Sequence, residues 1–332
     1  MTQYKYIESP STNPYFNLAL EQFVFDRLSP DHRYFMLWRN DNAIIIGKHQ
    51  NTAEEIDAEV VRKRDIRVVR RLSGGGAVYH DMGNINYTFI APVEPGMPLD
   101  FGIFCRPVID ALTQFGVQAE LNGRNDMTID GQKFSGNAQY RKRRRVMHHG
   151  TLLYDSDLSV LGKCLVVPKD KIESRGLKSV RSRVTNIKDY MPEDIGVERF
   201  MAGLRDAMFQ NYDMSAYELT PEDIAETTRL QQDIYETWDW NYGNSPDYNI
   251  RKSRRVEGCG KVEIHMDVEK GLITRIAFYG DYFGNMDNGD LCTLLEGKKL
   301  ERDSLRTVLS TIDVGEYFQN LDTETFLDIL TE

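Results

Sequence analysis

The sequence has 332 residues, of which 41% are apolar, and its net charge at pH 7 is −10. These values exclude a disordered chain and disfavour general affinity for nucleic acid, which needs a clustered basic surface. No stretch approaches the roughly 18 apolar residues of a membrane span. The amino terminus also lacks the apolar core of a signal peptide, so we expect a cytoplasmic protein that does not bind membranes.

The first half of the chain predicts helices and strands in alternation. Asn13 followed by Pro14 is typical of a helix start, because Asn caps the helix and Pro suits its first turn. Apolar runs and charged amphipathic stretches predict the elements that follow. They are a helix from Pro14 that carries Phe16, Leu20, Phe23 and Leu28, strands at 34–38, 43–46, 66–70 and 84–90, and helices at 54–64 and 103–115.

The second half predicts a hairpin, a long helix and a separate small domain. Asp130-Gly131 between β-prone runs is a strong hairpin signal and places Lys133 just past the turn. A capping pattern at Thr220-Pro221 opens a helix that runs to about residue 236. We place a boundary between domains 1–246 and 250–332. The predicted elements beyond that boundary are strands at 262–268 and 272–279 and helices at 288–297, 301–312 and 323–331.

The strongest chemical signal is the segment 70–81, Arg-Arg-Leu-Ser-Gly-Gly-Gly-Ala-Val-Tyr-His-Asp. Three glycines leave backbone N–H groups uncovered, and two arginines offer guanidinium groups to phosphate or carboxylate oxygens. The segment is neither a P-loop, since no Gly-Lys-Ser/Thr follows, nor a dinucleotide fingerprint, since Tyr79 replaces the third glycine. It indicates an anion-binding loop, and the alternative is a flexible turn.

Lys133 is the next candidate, because small residues surround it in Gln-Lys-Phe-Ser-Gly-Asn-Ala. An ammonium fixed by a strand would stabilise developing negative charge, whereas the alternative is a solvated surface lysine. The cysteines are widely separated and form no Cys-x-x-Cys pair, so we expect reduced thiols and no structural zinc site. They are Cys105, Cys164, Cys259 and Cys292.

The segment from Arg70 to Asn84 resembles the signature of lipoate–protein ligases. Further segments resemble that family in the same order along the chain, which makes the set specific and extends it over nearly the whole sequence. They are 14–19, 37–40, 123–136, 148–153, 179–186, 238–243 and 267–271.

The resemblance implies a fold and an activity. The expected fold is an α/β (α+β) catalytic domain similar to biotin protein ligases, with a mixed, mainly antiparallel sheet and packed helices. A small α+β accessory domain follows, which would move about a hinge at 243–250. The implied enzyme converts lipoate and ATP to lipoyl-AMP and pyrophosphate, then transfers the lipoyl group to a carrier lysine. The implied carriers are lipoyl domains of 2-oxo-acid dehydrogenase E2 subunits and the glycine-cleavage H protein.

The resemblance also assigns site residues, with Lys133 as the catalytic one. Asp126 is the expected ligand of Mg²⁺, which accompanies ATP. The residues expected to hold ATP or AMP are Arg71, Gly76, Ala77, Val78, Tyr79, Asn84 and Lys133. The residues expected to hold lipoate are Leu18, Trp38, Arg71, Ser73, His80, Lys133, Gly136 and His149. Taken without the resemblance, Leu18 and Trp38 would be core residues, and the two histidines could be structural.

Two alternatives and one segment stay open at this point. An octanoyl or lipoyl transferase of the same superfamily would move acyl groups between carriers without ATP, through a nucleophilic cysteine near the site. Cys105 lies in a predicted helix away from the motifs, so Cys164, after the last predicted site strand, is the one candidate for that nucleophile. A non-catalytic adenylate- or cofactor-binding regulator is the second alternative. The basic run 141–145 is either a solvated loop or a surface that steers an acidic carrier.

Overall fold

The computed structural model describes residues 3–94, 100–123, 125–165, 184–242, 250–269 and 271–331. The chain divides into two compact units. The first consists of Met1–Ile46, Thr52–Arg71 and Ala77–Asn241, and the second of Gly47–Asn51, Leu72–Gly76 and Tyr242–Glu332. Residues 243–249, which contain most of the predicted hinge, lie outside the described residues. The domain limits 1–246 and 250–332 therefore stay a prediction.

The described strands number β1 to β14 in chain order. They are β1 (Tyr4–Glu8), β2 (Arg33–Trp38), β3 (Ala43–Ile46), β4 (Arg67–Arg70), β5 (Val78–His80), β6 (Asn84–Pro92), β7 (Glu120–Asn122), β8 (Asp126–Ile129), β9 (Gln132–Lys142), β10 (Arg145–Leu153), β11 (Met214–Ala216), β12 (Ile250–Val256), β13 (Gly260–Glu269) and β14 (Leu272–Gly280).

An eight-stranded sheet forms the centre of the first unit, in the order β11-β1-β2-β6-β10-β9-β8-β7. Strand β1 pairs in parallel with β11 and β2, and the other neighbours pair antiparallel. A smaller sheet of β4, β3 and β5 joins one parallel and one antiparallel pair. The prediction of a mixed, mainly antiparallel sheet is thereby confirmed.

Helices pack against these sheets. Those of the first unit are α1 (Pro14–Asp26), α2 (Thr52–Glu55), α3 (Ala58–Lys63), α4 (Gly102–Thr113), α5 (Leu158–Cys164), α6 (Val197–Asn211), α7 (Pro221–Leu230) and α8 (Trp238–Asn241), with a 3₁₀ turn at Ile187–Tyr190 and a π-helical turn at Gln231–Tyr235. Within the described part of the chain, no helix combines the length and apolarity that a membrane span requires.

Helix α1 begins where the sequence predicted. The Asn13 side chain accepts a hydrogen bond from Tyr15 N, and Pro14 occupies the first position. The helix ends at Asp26, so Leu28, predicted on its apolar face, lies beyond it. The helix predicted at 54–64 is two short helices, because Asp57 caps a new one at Ala58.

The predicted hairpin joins β8 and β9. Asp130 and Gly131 both adopt positive φ, 51° and 73°, as a two-residue turn between twisted antiparallel strands requires. Lys133 therefore lies in a strand one residue past the start of β9, as predicted.

The second unit contains an antiparallel sheet of β12, β13 and β14. The sequence predicted only the last two of these strands, since the basic stretch in β12 obscures its alternation. Three predicted helices are confirmed: α9 (Asn288–Leu295) and α10 (Arg302–Leu309) are shorter than predicted, and α11 (Thr323–Thr331) has the predicted bounds. Apolar residues such as Ile264, Leu305 and Phe326 form the core, as expected of a small α+β domain.

The basic run 141–145 is not one continuous solvated loop. It spans the turn between β9 and β10, and Arg145 is buried. The Arg145 guanidinium donates to the carbonyls of Val24, Phe25, Leu28 and Ser29, at and just beyond the end of α1. Arg144 and Lys142 form ion pairs with Glu94 and Asp26. One of the five cations thus binds the carboxyl end of α1 and presents no charge to a partner.

We expect Arg145→Met to lower the free energy of unfolding by about 2–4 kcal/mol, because it leaves several buried carbonyls without their charged donor. Arg144→Met is the matched control, since it removes the neighbouring, exposed ion pair and is expected to cost less than about 1 kcal/mol. Denaturant unfolding of both variants measures the difference. Equal stability would contradict a structural role for Arg145.

Candidate functional site

Lys133 owes its orientation to a β-bulge. Met127 pairs with Ser135 and Thr128 with Lys133, so β9 contains one extra residue at this point. Regular alternation would place Lys133 on the same face as Ser135, and the bulge turns it to the face of Gly136. A Cβ on Gly136 would lie 3.1 Å from Lys133 Nζ, so the lysine side chain extends over this glycine. Gly136 therefore leaves room for Lys133.

Asp126 is the ion-pair partner of Lys133. The distance between Lys133 Nζ and Asp126 Oδ1 is 2.7 Å, and both side chains are about two-fifths exposed. Asp126 was predicted as a Mg²⁺ ligand. In the part of the chain that the structure describes, no group of three or more His, Cys, Asp or Glu side chains could hold a metal ion. The described residues thus offer no site with three protein ligands, and Asp126 fits only as a carboxylate ligand of an ion held mainly by phosphates.

The two arginines of the glycine segment make different contacts. Arg70 donates to Trp240 O, Asn241 O and Thr52 Oγ1, which ties β4 to α2 and α8. Arg71 is buried and donates to Ile45 O at 3.0 Å. Burial lowers the pKa of Arg71 to about 10, and attraction to Glu21 opposes that shift. Arg71 therefore stays positively charged at neutral pH inside the first unit.

His80 offers a hydrogen-bond donor in a buried position. Its Nδ1 accepts from Asn40 Nδ2 at 3.1 Å, and its Nε2 has no protein partner. Burial lowers the pKa of His80 to about 3, so the imidazole is neutral and its one proton is on Nε2. A buried N–H without a partner is costly, and a bound polar atom would remove that cost.

A second buried chain orients Trp38 and His149. Trp38 Nε1 donates to Thr88 Oγ1 at 2.9 Å, and Thr88 Oγ1 donates to Glu21 Oε1 at 2.5 Å. His149 Nδ1 contacts both Glu21 oxygens, at 3.0 and 3.1 Å. Thus the Glu21 carboxylate fixes two of the side chains predicted to hold lipoate.

Sequence reasoning missed Asn17, Glu21, Asn40 and Thr88. Asn17 Nδ2 donates to Asn40 Oδ1, so helix α1 supplies Asn17 to the hydrogen bonds that reach His80 and Glu21 to those that reach Trp38 and His149. The sequence does contain a signal for two of them, because Asn17 and Glu21 are four apart on a helix and thus share a face that is otherwise apolar. A polar pair on a buried helix face indicates a functional or specificity role.

The strands that follow the glycines hold the predicted nucleotide residues. Ala77 and Val78 are half-buried, while Tyr79 is buried and donates to Asn42 Oδ1 at 3.1 Å. Asn84 is fully buried, its Nδ2 donates to Asn86 Oδ1, and its own Oδ1 has no protein partner. The unpaired Asn84 oxygen fits an amino-group donor such as that of adenine.

The glycine segment itself belongs to the second unit. Lys48 N donates to Ser73 O at 2.8 Å, and Gly75 N donates to Tyr282 O at 3.3 Å. Gly75 has φ 88°, which disfavours any other residue there. Nearby, Lys48 Nζ lies 2.8 Å from Asp287 Oδ2. The loops after β3 and β4 thus pack together within that unit.

One face of the large sheet brings six of the predicted residues together. Strand register places Asp126 opposite Gly136, Ala138 opposite His149, and Asn86 opposite Trp38. The predicted residues on this face are Trp38, Asn84, Asp126, Lys133, Gly136 and His149. Leu18 is buried in α1, and Ser73 and Gly76 lie in the second unit. Most of the matching segment 179–186 lies outside the described residues, but Thr185 N donates to Lys133 O.

Two family models match the chain. Residues 13–209 match the lipoyl protein ligase A/B catalytic domain. Residues 245–330 match the bacterial lipoate protein ligase C-terminus.

Known proteins are similar over most of the length. Lipoate-protein ligase LplJ of Bacillus subtilis (strain 168) is 42% identical over 329 residues, which is 98% of this chain and 99% of that protein. The structure of P. falciparum LipL1 in complex with lipoate has TM-score 0.79 at 24% identity and covers 99% of this chain and 98% of its own, which supports the fold alone. A crystal structure of lipoate-protein ligase A bound with ATP has TM-score 0.60 at 25% identity and covers 73% of this chain and 98% of its own.

Proposed function

This chain is an enzyme of the lipoyl protein ligase A/B family, and we propose that it activates lipoate with ATP and transfers the lipoyl group to a carrier lysine. The observation that carries the proposal is the orientation of Lys133. A bulge turns its ammonium to the sheet face that also presents Trp38, Asn84 and His149. A related ligase has been solved with ATP bound, which supports the nucleotide as the co-substrate.

The first step joins two anions. A lipoate carboxylate oxygen forms a bond to the α-phosphorus of ATP, the bond to the bridging oxygen breaks, and pyrophosphate leaves. Lys133 and the buried cation Arg71 would offset the repulsion between carboxylate and phosphate and stabilise the charge that develops. Backbone N–H groups from Gly76 to Tyr79 would bind phosphate oxygens, and Asn84 Oδ1 would accept from the adenine amino group.

The second step forms an amide. The carrier lysine, as a neutral amine, attacks the carbonyl carbon of lipoyl-AMP, AMP leaves with the bonding electrons, and the amine loses a proton. The Lys133 ammonium would stabilise the oxyanion at the carbonyl. We propose as carriers the lipoyl domains of 2-oxo-acid dehydrogenase E2 subunits and the glycine-cleavage H protein. The reduced, widely separated cysteines support a cytoplasmic location for both steps.

The lipoate tail needs an apolar slot with few polar groups. Leu18 and Trp38 would supply its apolar wall, and Trp38 is fixed by its bond to Thr88. His80 Nε2–H is a buried donor that keeps its proton across neutral pH, so it can donate to an oxygen of the bound acid. Ser73 and His149 complete the proposed set.

Magnesium would accompany ATP. It would neutralise phosphate charge and favour the departure of pyrophosphate. Asp126 is the one proposed carboxylate ligand, and it already forms an ion pair with Lys133, so it would bind the ion alongside that lysine.

The alternative transferase lacks a reactive thiol. Cys105 and Cys164 are buried, and burial raises the pKa of these thiols to about 12 and about 11. A thioester mechanism needs a thiolate near neutral pH, so these environments oppose it. The presence of Lys133, Arg71 and a buried donor at His80 is likewise an argument against the alternative that the protein is a non-catalytic regulator.

Lipoate-dependent exchange of labelled pyrophosphate into ATP tests the proposal. We expect exchange with lipoate and MgATP, no exchange without lipoate, and the mass increase of one lipoyl group on a single lysine when a lipoyl domain is added. Acyl transfer between carriers without exchange would favour the transferase. Binding of lipoyl-AMP with neither activity would favour the regulator.

A further inference from the structure

A buried chain of polar side chains lies on the face of the large sheet opposite to Gly136 and His149. Its members are Gln139, His148, Tyr87 and Asn137, none more than 3% exposed. Gln139 Nε2 lies 3.0 Å from His148 Nδ1, and His148 Nε2 lies 3.3 Å from Tyr87 Oη. The Tyr87 hydroxyl donates to Asn137 Oδ1.

Every hydrogen bond in this series runs in one direction, with each side chain donating to the next from Gln139 to Asn137. Gln139 Nε2 donates, so His148 Nδ1 accepts, and burial holds the pKa of His148 well below its usual range. The neutral imidazole therefore carries its proton on Nε2 and donates to Tyr87 Oη. Tyr87 in turn donates to Asn137 Oδ1, and Asn137 Nδ2 donates to Asn125 O at 3.0 Å. Such aligned bonds strengthen one another.

This series of hydrogen bonds ends at Asn125, the residue before Asp126. Asn137 N donates to Asn125 O at 2.9 Å, and Asn125 Nδ2 donates back to Asn137 O at 2.6 Å. Together with the side-chain bond, three hydrogen bonds join these residues just before β8 begins. The next residue, Asp126, is the ion-pair partner of Lys133.

Asp126 needs such support because it begins β8, and the strand beyond it, β7, has only three residues, all of them exposed. A sheet edge of this kind frays easily, and the first residue of β8 would fray with it. Gly150 leaves the space that these side chains fill, since a Cβ on Gly150 would lie 2.0 Å from Asn137 Oδ1 and 2.6 Å from Tyr87 Cε1. An apolar core would fill the same volume without the cost of burying four polar side chains.

We propose that Tyr87 and Asn137 are positioning residues, which fix Asp126 through Asn125 and thereby hold the Lys133 ammonium in its reactive place. The inference rests on the proposed function of Lys133. None of these residues touches the sheet face on which the reaction would occur, so their effect on it would pass through the backbone of Asn125.

Tyr87→Phe tests the proposal with a minimal change, since it removes only the hydroxyl. We expect kcat of lipoate-dependent pyrophosphate exchange to fall by about tenfold to a hundredfold, because small displacements of a positioned group cost that much. The KM values for lipoate and ATP are expected to change by less than about threefold. Tyr34→Phe is the matched control, since Tyr34 is equally buried in the same sheet and donates to Ser29 O. An equal loss in both variants would overturn the proposal.

A double-mutant cycle tests the route. If Tyr87 acts through Asp126, Tyr87→Phe should change kcat by less than about twofold in the Asp126→Asn background. Full multiplication of the two effects would overturn the proposal. A crystal structure of Tyr87→Phe gives a readout that needs no activity, namely a lengthened Lys133 Nζ–Asp126 distance. An unchanged 2.7 Å contact would overturn the positioning role, whereas an inactive wild-type enzyme with a lengthened contact in the variant would overturn only the proposed function.

Discussion

Replacing Lys133 by Leu is expected to lower lipoate-dependent pyrophosphate exchange by at least about 10²–10³-fold, because it removes a fixed cation from the charge that develops at the phosphate. The fold should survive. Lys133 is about two-fifths exposed and forms an ion pair with Asp126, which is similarly exposed, so loss of the pair costs less than about 1 kcal/mol. Transfer from preformed lipoyl-AMP to a carrier should fall as well, since Lys133 would also stabilise the oxyanion of the second step.

Lys142→Leu is the matched control for this variant. Lys142 lies on the same strand, is similarly exposed, and forms an ion pair of the same kind with Asp26. We expect full exchange activity in Lys142→Leu and equal thermal stability in the two variants. Full activity in Lys133→Leu would contradict the catalytic assignment, and a loss of structure measured by circular dichroism in Lys133→Leu alone would show that the lysine supports the fold instead.

The elements predicted correctly are those with a local cause. The cap at Asn13, the Asp130-Gly131 turn and the capping box at Thr220 depend on residues within four positions of one another. Such signals act through backbone geometry that neighbouring residues determine, so tertiary packing did not need to be known. The same holds for the alternation of β13, whose apolar residues face the core of the second unit.

The features that the sequence did not predict depend on contacts between residues that are far apart in the chain. Arg145 reads as part of a charge run, yet the carbonyls that bind it follow a helix more than a hundred residues earlier. The bulge that orients Lys133 depends on how β8 and β9 pair, which no local pattern shows. Asn17 and Glu21 share a helix face with apolar neighbours, and their partners Asn40 and Thr88 come from other strands.

The three glycines of the segment 70–81 have different reasons to be glycine. A Cβ on Gly74 would lie 2.4 Å from the carbonyl oxygen of Tyr282, so the backbone itself leaves no room. Gly75 requires glycine because its φ is 88°. Among the described residues, a Cβ on Gly76 would meet no atom within 4 Å, and its φ lies outside the left-handed range. The described residues therefore do not themselves require glycine at position 76, which fits the proposed close approach of a phosphate.

Gly76→Ala should thus separate ligand binding from stability. We expect the free energy of unfolding to change by less than about 0.5 kcal/mol, since the added methyl group meets open space. If the backbone N–H of Gly76 approaches a phosphate of ATP, the same methyl group would displace the nucleotide and lower kcat/KM for ATP by at least about tenfold.

Gly74→Ala is the contrasting variant, because its clash with Tyr282 O lies within the protein. It should lower the melting temperature in the absence of any ligand, whereas Gly76→Ala should not. Calorimetric unfolding together with ATP titration of pyrophosphate exchange distinguishes the two. Unchanged kcat/KM for ATP in Gly76→Ala would remove this residue from the nucleotide site, and the anion-binding role would then pass to the N–H groups of Ala77 and Val78, which follow the last glycine on the way into β5.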